Sequence, residues 1–200
     1  MHDLRAPCSL RLTRDVPLSD EATLVAAAKR DPREFAPLYR HYVGRVYAYC
    51  LRRLGTREAA EDATSRTFEQ ALRQLHACRD EAFRGWLFTI ATRAIADYYR
   101  AAHHARSHVA LELVRDTPER GPLVEDAAMA KEAAAQLREL LHHLPADQRR
   151  VLELRAAGLR GEEIAAVLER SHAAIRMLQL RAVRHLRELL RVDELPGTAP

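Results

Sequence analysis

The residues with the most distinctive chemistry are arginines near the C-terminal end. Between positions 170 and 191 the sequence has six arginines and a single acidic residue, Glu188, which gives a local charge of +5. The whole 200-residue chain carries only +4, so the positive charge is concentrated in this segment. A planar guanidinium can donate two parallel hydrogen bonds to a phosphate or to the edge of a guanine. The chemistry indicated is therefore binding to a nucleic acid rather than catalysis.

These arginines follow the pattern of a helix-turn-helix. Apolar spacing predicts a short helix at 161–168 and a long helix at 172–190, and Ser171 at the end of the intervening turn can cap the second helix. Such an arrangement places a helix in the major groove of DNA. Arg176, one turn into the long helix, is the first candidate for contacting a base or a phosphate. The alternative is a helical hairpin in an ordinary bundle with a solvated, arginine-rich face.

A second candidate surface lies on a helix predicted over residues 83–105. Aromatic rings and arginines are interleaved on it, which suits single-stranded nucleic acid because bases stack on aromatic rings. The alternative is that the aromatic residues are mostly core, since Trp86 and Ile90 have the spacing of a buried face. Tyr98 and Tyr99 are adjacent, so at least one of them should be exposed.

Acidic residues form a ridge on another predicted helix, which covers residues 57–75. Glu58, Glu61, Asp62 and Glu69 could receive a basic partner helix, and the alternative is an ordinary solvated face. The inward positions of this helix are predicted to include Ala60, Ala63, Thr67, Phe68, Ala71 and Leu75.

These elements predict an all-α protein, because the apolar periodicity is helical almost throughout. Asp31, Pro32 and Glu34 signal the start of an aromatic-rich helix that should end near Gly55. Between residues 107 and 130 five acids and two arginines replace the apolar pattern, which predicts a flexible acidic linker between two small helical domains. The expected divisions are a disordered tail at 1–18, an N-terminal domain at 19–106, the linker at 107–130, a C-terminal helix-turn-helix domain at 131–191 and a tail at 192–200.

Catalysis is not indicated. The sequence has no HExxH motif, no P-loop, no glycine-rich dinucleotide turn and no recognisable catalytic triad. We therefore expect no enzyme activity, no metal and no cofactor. The three cysteines form no CxxC pair, the first residues lack an apolar signal core, and no apolar run approaches 18 residues. The expectation is a cytoplasmic protein without a membrane partner.

Taken in order, several segments resemble the extracytoplasmic-function sigma factors, which are two-domain initiation subunits of bacterial RNA polymerase. The segments are DPREFAPLYRHY at 31–42, AAEDATSRTFEQA at 59–71, FRGWLFTIA at 83–91 with ADYYR at 96–100, and LPADQRRVL at 144–152 ahead of the helix-turn-helix. Each piece is a weak signal alone, whereas their order and spacing are specific. The resemblance covers roughly residues 30–106 and 131–191.

The resemblance implies binding to the RNA polymerase core through its β′ and β subunits and recognition of promoter DNA, both duplex and single-stranded. An anti-sigma factor is a further candidate partner. The implied polymerase-docking set is Glu61, Asp62, Ser65, Arg66, Phe68 and Glu69. The implied set for the minus-ten element and DNA melting is Arg79, Arg84, Trp86, Arg93, Asp97, Tyr98 and Arg100. The implied set for the minus-thirty-five element is Arg170, Ser171, His172, Arg176, Gln179, Arg181 and Arg184.

Several positions depart from the family pattern. Arg66 stands where the docking segment commonly has an acidic residue, and Thr92-Arg93 stands where an arginine-asparagine pair is usual. Leu178 replaces a frequent DNA-facing arginine, and Glu169 replaces the turn glycine although its side chain disfavours a positive φ. The alternative functions are a stand-alone helix-turn-helix regulator of duplex DNA and a helical interaction module whose arginine face is incidental.

Overall fold

The computed structural model describes residues 20–108 and 140–193, and almost all of them are helical. No strand occurs within those two ranges, which confirms the predicted all-α fold. The helices are α1 (Glu21–Arg30), α2 (Ala36–Leu54), α3 (Arg57–Arg73), α4 (Phe83–His108), α5 (Ala146–Ala156), α6 (Gly161–Leu168) and α7 (His172–Asp193). Short 3₁₀ turns occupy Pro32–Phe35, Leu75–Ala77 and Asp80–Ala82. The predicted tail at 1–18 and the linker residues 109–130 lie outside the described residues.

The start of α2 differs from the prediction. The Asp31 carboxylate accepts a 3.0 Å hydrogen bond from Arg33 N, as the capping signal predicts, but a 3₁₀ turn follows and α2 begins only at Ala36. Pro37 explains the delay: it lacks an N–H and is tolerated only in the first turn of an α-helix, so the regular helix begins immediately before it. The end agrees with the prediction, because Gly55 stops α2 with a φ of 81°.

Helices α2, α3 and α4 pack around an aromatic core, and α1 lies against the start of α2 and the 3₁₀ turns. Phe35 meets Phe83 edge to face with ring centroids 6.2 Å apart, and the Tyr42 ring lies 5.5 Å from Phe83. Further along α2, the Tyr49 ring packs 5.6 Å from Phe88. All eleven Trp, Tyr and Phe residues of the chain fall in this half, so aromatic packing stabilises the N-terminal helices.

Helices α5, α6 and α7 pack around aliphatic side chains instead. The buried ones include Val151, Leu154, Leu159, Ile164, Ile175 and Ala182. Gly158 ends α5 with a φ of 93°, and the next N–H, that of Leu159, returns to Leu154 O at 3.1 Å. This sharp stop turns the chain so that the short α6 packs against both α5 and α7.

The two groups of helices contact each other directly, a relationship that the sequence did not predict. Helix α4 packs against α6, where a Cβ added to Gly85 would lie 3.4 Å from the Glu163 Cβ. Helix α2 meets α5 through an ion pair of 3.4 Å between Arg53 Nη1 and Glu153 Oε2. Beside this ion pair, Arg52 and Arg53 line a cavity between the two groups of helices, together with Tyr99, Arg149 and Glu153. Within the described residues, Nε and Nη2 of Arg52 and Nε of Arg53 have no protein acceptor.

Candidate nucleic-acid interface

The turn between α6 and α7 has the geometry that presents α7 to a ligand. Ser171 Oγ accepts a 3.2 Å hydrogen bond from Ala174 N and so caps α7, as predicted. Glu169 adopts φ 52° and ψ 45°, and it is the one non-glycine residue with a positive φ in the described part of the chain. The N–H of Arg170 then returns to Ala165 O at 3.0 Å. The turn keeps its left-handed geometry at the conformational cost that a side chain imposes there.

One side of α7 is packed and the other is open. Ile175 and Ala182 are buried in the core of the C-terminal helices. Arg176, Arg181 and Arg184 are exposed, and none of them forms an ion pair within residues 20–108 and 140–193. Because these guanidinium groups are not held in ion pairs by other described residues, this face can attract a polyanion.

Two predicted residues flank the start of α7. Arg170 is exposed, and its Nη2 lies 3.5 Å from Asp147 Oδ2, a long and weak ion pair. His172 is exposed as well, but its ring lies over Gly161, where an added Cβ would come within 2.6 Å of His172 Nε2. Both side chains can reach a ligand. Because Gly161 has no Cβ, the His172 imidazole can occupy the space beside it.

The outermost line of α7 is apolar, which the charge-based prediction missed. Ala173, Met177 and Leu180 are exposed, with Met177 and Leu180 exposing 48% and 54% of their surface. Gln179, predicted to face DNA, lies about 200° around the helix from Met177 and is half-buried, so it is off the outermost line and its contact with DNA stays a prediction. Leu178 is half-buried and packs on the core, which accounts for an apolar residue at that position. Reading the helix by angle rather than by charge would have identified the apolar line.

The exposed face of α4 combines two arginines with an acid. Arg93, Asp97 and Arg100 are all exposed, and their spacing of four and three residues places them along one side of the helix. Asp97 and Arg100 form an ion pair with each other. Arg93 is therefore the residue of this set whose charge is least compensated on α4.

The aromatic residues of α4 are shared between core and surface. Tyr99 is exposed, as predicted for one of the adjacent tyrosines, and Tyr98 is half-buried. Trp86 is half-buried too, with its ring centroid 5.9 Å from that of Phe83. Trp86 therefore belongs partly to the core, and only part of its ring is available to a ligand.

Arg84 is the member of the predicted minus-ten set that forms an internal contact between the two groups of helices in this structure. Its Nε donates a 2.9 Å hydrogen bond to Glu163 Oε1, and its backbone N–H donates to Glu21 Oε1 at 3.1 Å. Its side chain is only 14% exposed, compared with 22% for Glu163. In this arrangement Arg84 joins α4 to α6 and does not face outward.

The segment between α3 and α4 is held in place by a lysine that sequence reasoning missed. Lys29 Nζ donates to Cys78 O at 2.5 Å and forms an ion pair of 2.6 Å with Asp80 Oδ1. Arg79, which lies between these two partners, is exposed as predicted. The anchored backbone thus presents Arg79 from a fixed loop. No local signal marks Lys29, because its partners are about 50 residues away along the chain.

The ridge on α3 is exposed but mixed in charge. Glu61 pairs with Arg57 at 2.7 Å and Glu69 pairs with Arg73 at 2.6 Å, both within the same helix. Asp62 is exposed and forms none of the ion pairs of this helix. Pairing lowers the net negative charge that the ridge offers to a basic partner. Glu58, in the first turn of α3, is exposed and also takes no part in these two ion pairs, so Asp62 and Glu58 are the acids of the ridge most available for an intermolecular contact.

The remaining docking residues divide between surface and core. Ser65 and Arg66 are exposed on the ridge. Phe68 is only 6% exposed, and its ring packs edge to face 6.5 Å from Phe35 and 4.8 Å from Tyr39. The expectation that Phe68 touches a partner is corrected, because the ring fills the core beneath the ridge.

Comparisons with known proteins match both halves of the chain. Residues 38–105 match the family model of sigma-70 region 2, and residues 134–186 match that of sigma-70 region 4. The chain is 33% identical over 183 residues to the ECF RNA polymerase sigma factor BldN of Streptomyces coelicolor, covering 88% of this chain and 69% of BldN. The chain belongs to the extracytoplasmic-function (ECF) sigma factors. A second ECF sigma factor, SigD of Mycobacterium tuberculosis, is 34% identical over 151 residues, which is 72% of this chain and 70% of SigD.

Solved structures agree with the fold of this sigma factor. CnrH in complex with the cytosolic domain of CnrY matches with a TM-score of 0.65 at 25% identity, over 87% of this chain and 99% of the CnrH chain. The sigma factor RpoE of Bartonella quintana, crystallised with the anti-sigma factor NepR, matches with a TM-score of 0.59 at 23% identity, over 81% and 99%. The second likeness shows the fold alone.

An ECF sigma factor binds RNA polymerase and directs it to promoters, and this is the function of the chain. The resemblance inferred from the sequence is confirmed, and the stand-alone regulator is not favoured. Across residues 20–108 and 140–193, no helix is both long enough and apolar enough to cross a bilayer. The same residues contain no group of three or more histidine, cysteine or acidic side chains that could hold a metal ion.

Proposed function

We propose that this sigma factor reads the minus-thirty-five element with α7 and holds the unpaired minus-ten strand with the outer face of α4 and the loop before it. The observation that carries the proposal is the open face of α7, where Arg176, Arg181 and Arg184 form no ion pair with any other residue of the 20–108 and 140–193 ranges. A capped helix whose outer face carries unpaired guanidinium groups suits the major groove of DNA.

At the minus-ten element, the first contacts would come from the predicted arginines that are already exposed. Arg93 and Arg100 on α4 and Arg79 on the anchored loop are exposed and can meet phosphates or unstacked bases. A strand whose bases are captured in this way is stabilised in the open state, so duplex melting follows from differential binding. No covalent chemistry by the sigma factor is needed.

Polymerase docking is assigned to the exposed ridge of α3, with the β′ subunit as its partner and β as a further contact. Asp62 supports this assignment because its carboxylate is exposed and free of the ion pairs that occupy Glu61 and Glu69. A basic partner surface would gain most from the unpaired acid.

Promoter binding would separate the two groups of helices. Elements named for positions minus-thirty-five and minus-ten are about 25 base pairs apart, or about 85 Å of duplex. In the structure α4 and α6 are in contact through Arg84 and Glu163. We infer that this contact opens when the chain assembles on polymerase and DNA.

A regulatory partner and a cytoplasmic location complete the proposal. The support for an anti-sigma factor is the likeness to CnrH, whose solved structure includes the cytosolic domain of CnrY. The support for the cytoplasm is the function itself, since a sigma factor works where RNA polymerase and the promoter are.

The test is transcription in vitro with purified core polymerase over a library of promoter fragments. We expect transcripts from promoters that share an upstream and a downstream element. Arg176→Ala should weaken use of promoters that depend on the upstream element by about 1–3 kcal/mol while leaving core binding unchanged. Equal loss of core binding would show that Arg176 has another role.

Two further measurements separate the alternatives. A chain that fails to bind core but binds duplex DNA tightly would be a stand-alone regulator. Salt titration tests the alternative of a helical interaction module. If α7 binds DNA phosphates, a plot of log affinity against log salt concentration should have a slope of about −0.9 for each contacted phosphate. A nearly flat salt response would favour the module.

A further inference from the structure

We propose that Met177 and Leu180 are specificity-determining residues that contact thymine methyl groups in the upstream promoter element. The proposal rests on the assignment of α7 to the major groove and adds the base that it reads there. Its starting point is that these side chains expose 48% and 54% of their surface on an otherwise basic helix face.

Position on the helix places the two apolar side chains at the centre of the outer face. At 100° per residue, Ala173, Met177 and Leu180 lie within an arc of about 60°. Arg176 and Arg181 lie about 40° beyond the two edges of that arc. When the helix enters a groove, residues at the centre of the arc approach the bases and residues at its edges approach the two backbones.

The chemistry of the groove limits what these side chains can contact. A thioether and an isobutyl group cannot form the hydrogen bonds by which most base edges are read. The apolar group that an unmodified base pair presents in the major groove is the C5 methyl of thymine. Met177 and Leu180 are about 4.5 Å apart along the helix axis, close to the 3.4 Å rise of one base pair, so we expect one thymine or two adjacent ones.

The surroundings favour DNA over a protein helix as the occupant. The apolar line spans only two turns. The exposed Arg176 and Arg181 border it on either side, and the exposed Arg184 follows on the same line one turn beyond Leu180. The one acid between residues 170 and 191, Glu188, lies two turns beyond Leu180. Along the apolar line itself, the positive border matches the phosphates on either side of a groove.

The experiment measures how much each thymine methyl group contributes to binding, one position at a time. Promoters selected in the transcription library supply the upstream element, and each thymine in it is replaced singly by deoxyuridine, which lacks only the methyl. Full-length sigma factor assembled with core is titrated with each duplex by fluorescence anisotropy. One or two adjacent replacements should weaken binding about fourfold, the equivalent of about 0.8 kcal/mol for one buried methyl group.

The variants assign the effect to residues. Met177→Ala and Leu180→Ala should bind the thymine and deoxyuridine duplexes equally at the sensitive position, whereas Met177→Leu should retain the difference. Leu190→Ala is the matched control, because Leu190 is equally exposed at 48% but lies further along α7 and outside the arc. It should leave the methyl dependence unchanged.

Two results would overturn the inference, and a third would refute the proposed function on which it rests. An upstream element without thymine, or wild-type binding that is tight and indifferent to every deoxyuridine, would remove methyl contact and leave the proposed function standing. Loss of core binding in Met177→Ala without any methyl effect would make the apolar line a protein interface. Failure of the wild-type holoenzyme to bind any promoter would instead refute the proposed function.

Discussion

Arg84 Nε donates a 2.9 Å hydrogen bond to Glu163 Oε1 and so joins α4 to the first helix of the helix-turn-helix. The other oxygen of the same carboxylate, Oε2, accepts a 2.6 Å hydrogen bond from Arg160 N at the start of α6. The Glu163 carboxylate therefore joins α4 to α6 and also caps the N-terminal end of α6. The two roles can be separated by substitution.

Arg84→Gln should loosen the contact between α4 and α6, because it removes the charge from a largely buried hydrogen bond to a carboxylate. The measurement is the radius of gyration of the free chain by small-angle scattering, which should increase. Glu163→Gln should act in the same direction while retaining an oxygen for the helix cap. Glu163→Ala should in addition lower the free energy of unfolding by about 1 kcal/mol. An unchanged radius in Arg84→Gln would contradict this role for the ion pair.

Glu169→Gly should stabilise the chain by about 0.5–1 kcal/mol, since glycine adopts the left-handed conformation of this turn without a Cβ penalty. The measurement is urea unfolding of the full-length protein. Glu162→Gly is the matched control: Glu162 is exposed on α6, and glycine in a helix destabilises by a similar amount. Equal effects of the two substitutions would mean that the left-handed turn stores no strain.

Glu153 should make stability depend on pH. Burial raises the pKa of its carboxyl above the usual value of 4.5, against the opposing influence of Arg53 and Arg149. Between 4.5 and the raised pKa the folded chain binds the proton more tightly than the unfolded chain, so the free energy of unfolding falls as pH rises through this window. Relative to Glu153→Gln, the wild type should gain stability on acidification from pH 7 and level off below about 4.5. A difference that decreases on acidification would contradict the prediction.

Asp62→Arg should weaken binding to core polymerase about tenfold, because the substitution reverses the charge of an acid of the ridge that neither of the two α3 ion pairs occupies. Binding is measured by titration of labelled sigma factor with core, and circular dichroism checks that the helices remain. Glu162→Arg carries the same charge reversal on an exposed position of α6 and should leave core binding intact. Unaltered assembly of Asp62→Arg would remove the case for this ridge.

The helix ends could be predicted because neighbouring residues determine them. Thr56 Oγ1 accepts from Ala59 N at 3.4 Å at the start of α3, and Ser171 caps α7 in the same way. Gly55 and Gly158 stop two helices with positive φ angles. The acidic cap at Asp31 follows from the sequence in the same way, whereas Pro37 delays the regular helix of α2 to Ala36.

For Phe68, helical periodicity predicts the position of the side chain better than the family resemblance does. Its spacing along α3 predicts an inward side chain, whereas the family resemblance assigns it to the docking surface. The structure places the ring in the core against Phe35 and Tyr39. A family position indicates which element forms an interface, but helix geometry decides which side chains of that element can reach it.

Contacts between distant residues could not be predicted. Lys29 and Asp80 are 51 residues apart in sequence, and Arg84 and Glu163 are 79 residues apart. In the sequence, each of these four residues looks like an ordinary charged surface residue. Their pairing depends on how whole helices pack, which no local pattern of one sequence encodes.

The hydrogen bond between Arg84 and Glu163 bears on a conformational pre-equilibrium. If promoter binding separates α4 from α6, as proposed, only the separated state is competent to bind. Because apparent affinity scales with the population of the competent state, Glu163→Gln, which loosens this contact and leaves Arg84 in place, should raise the apparent affinity for polymerase and promoter.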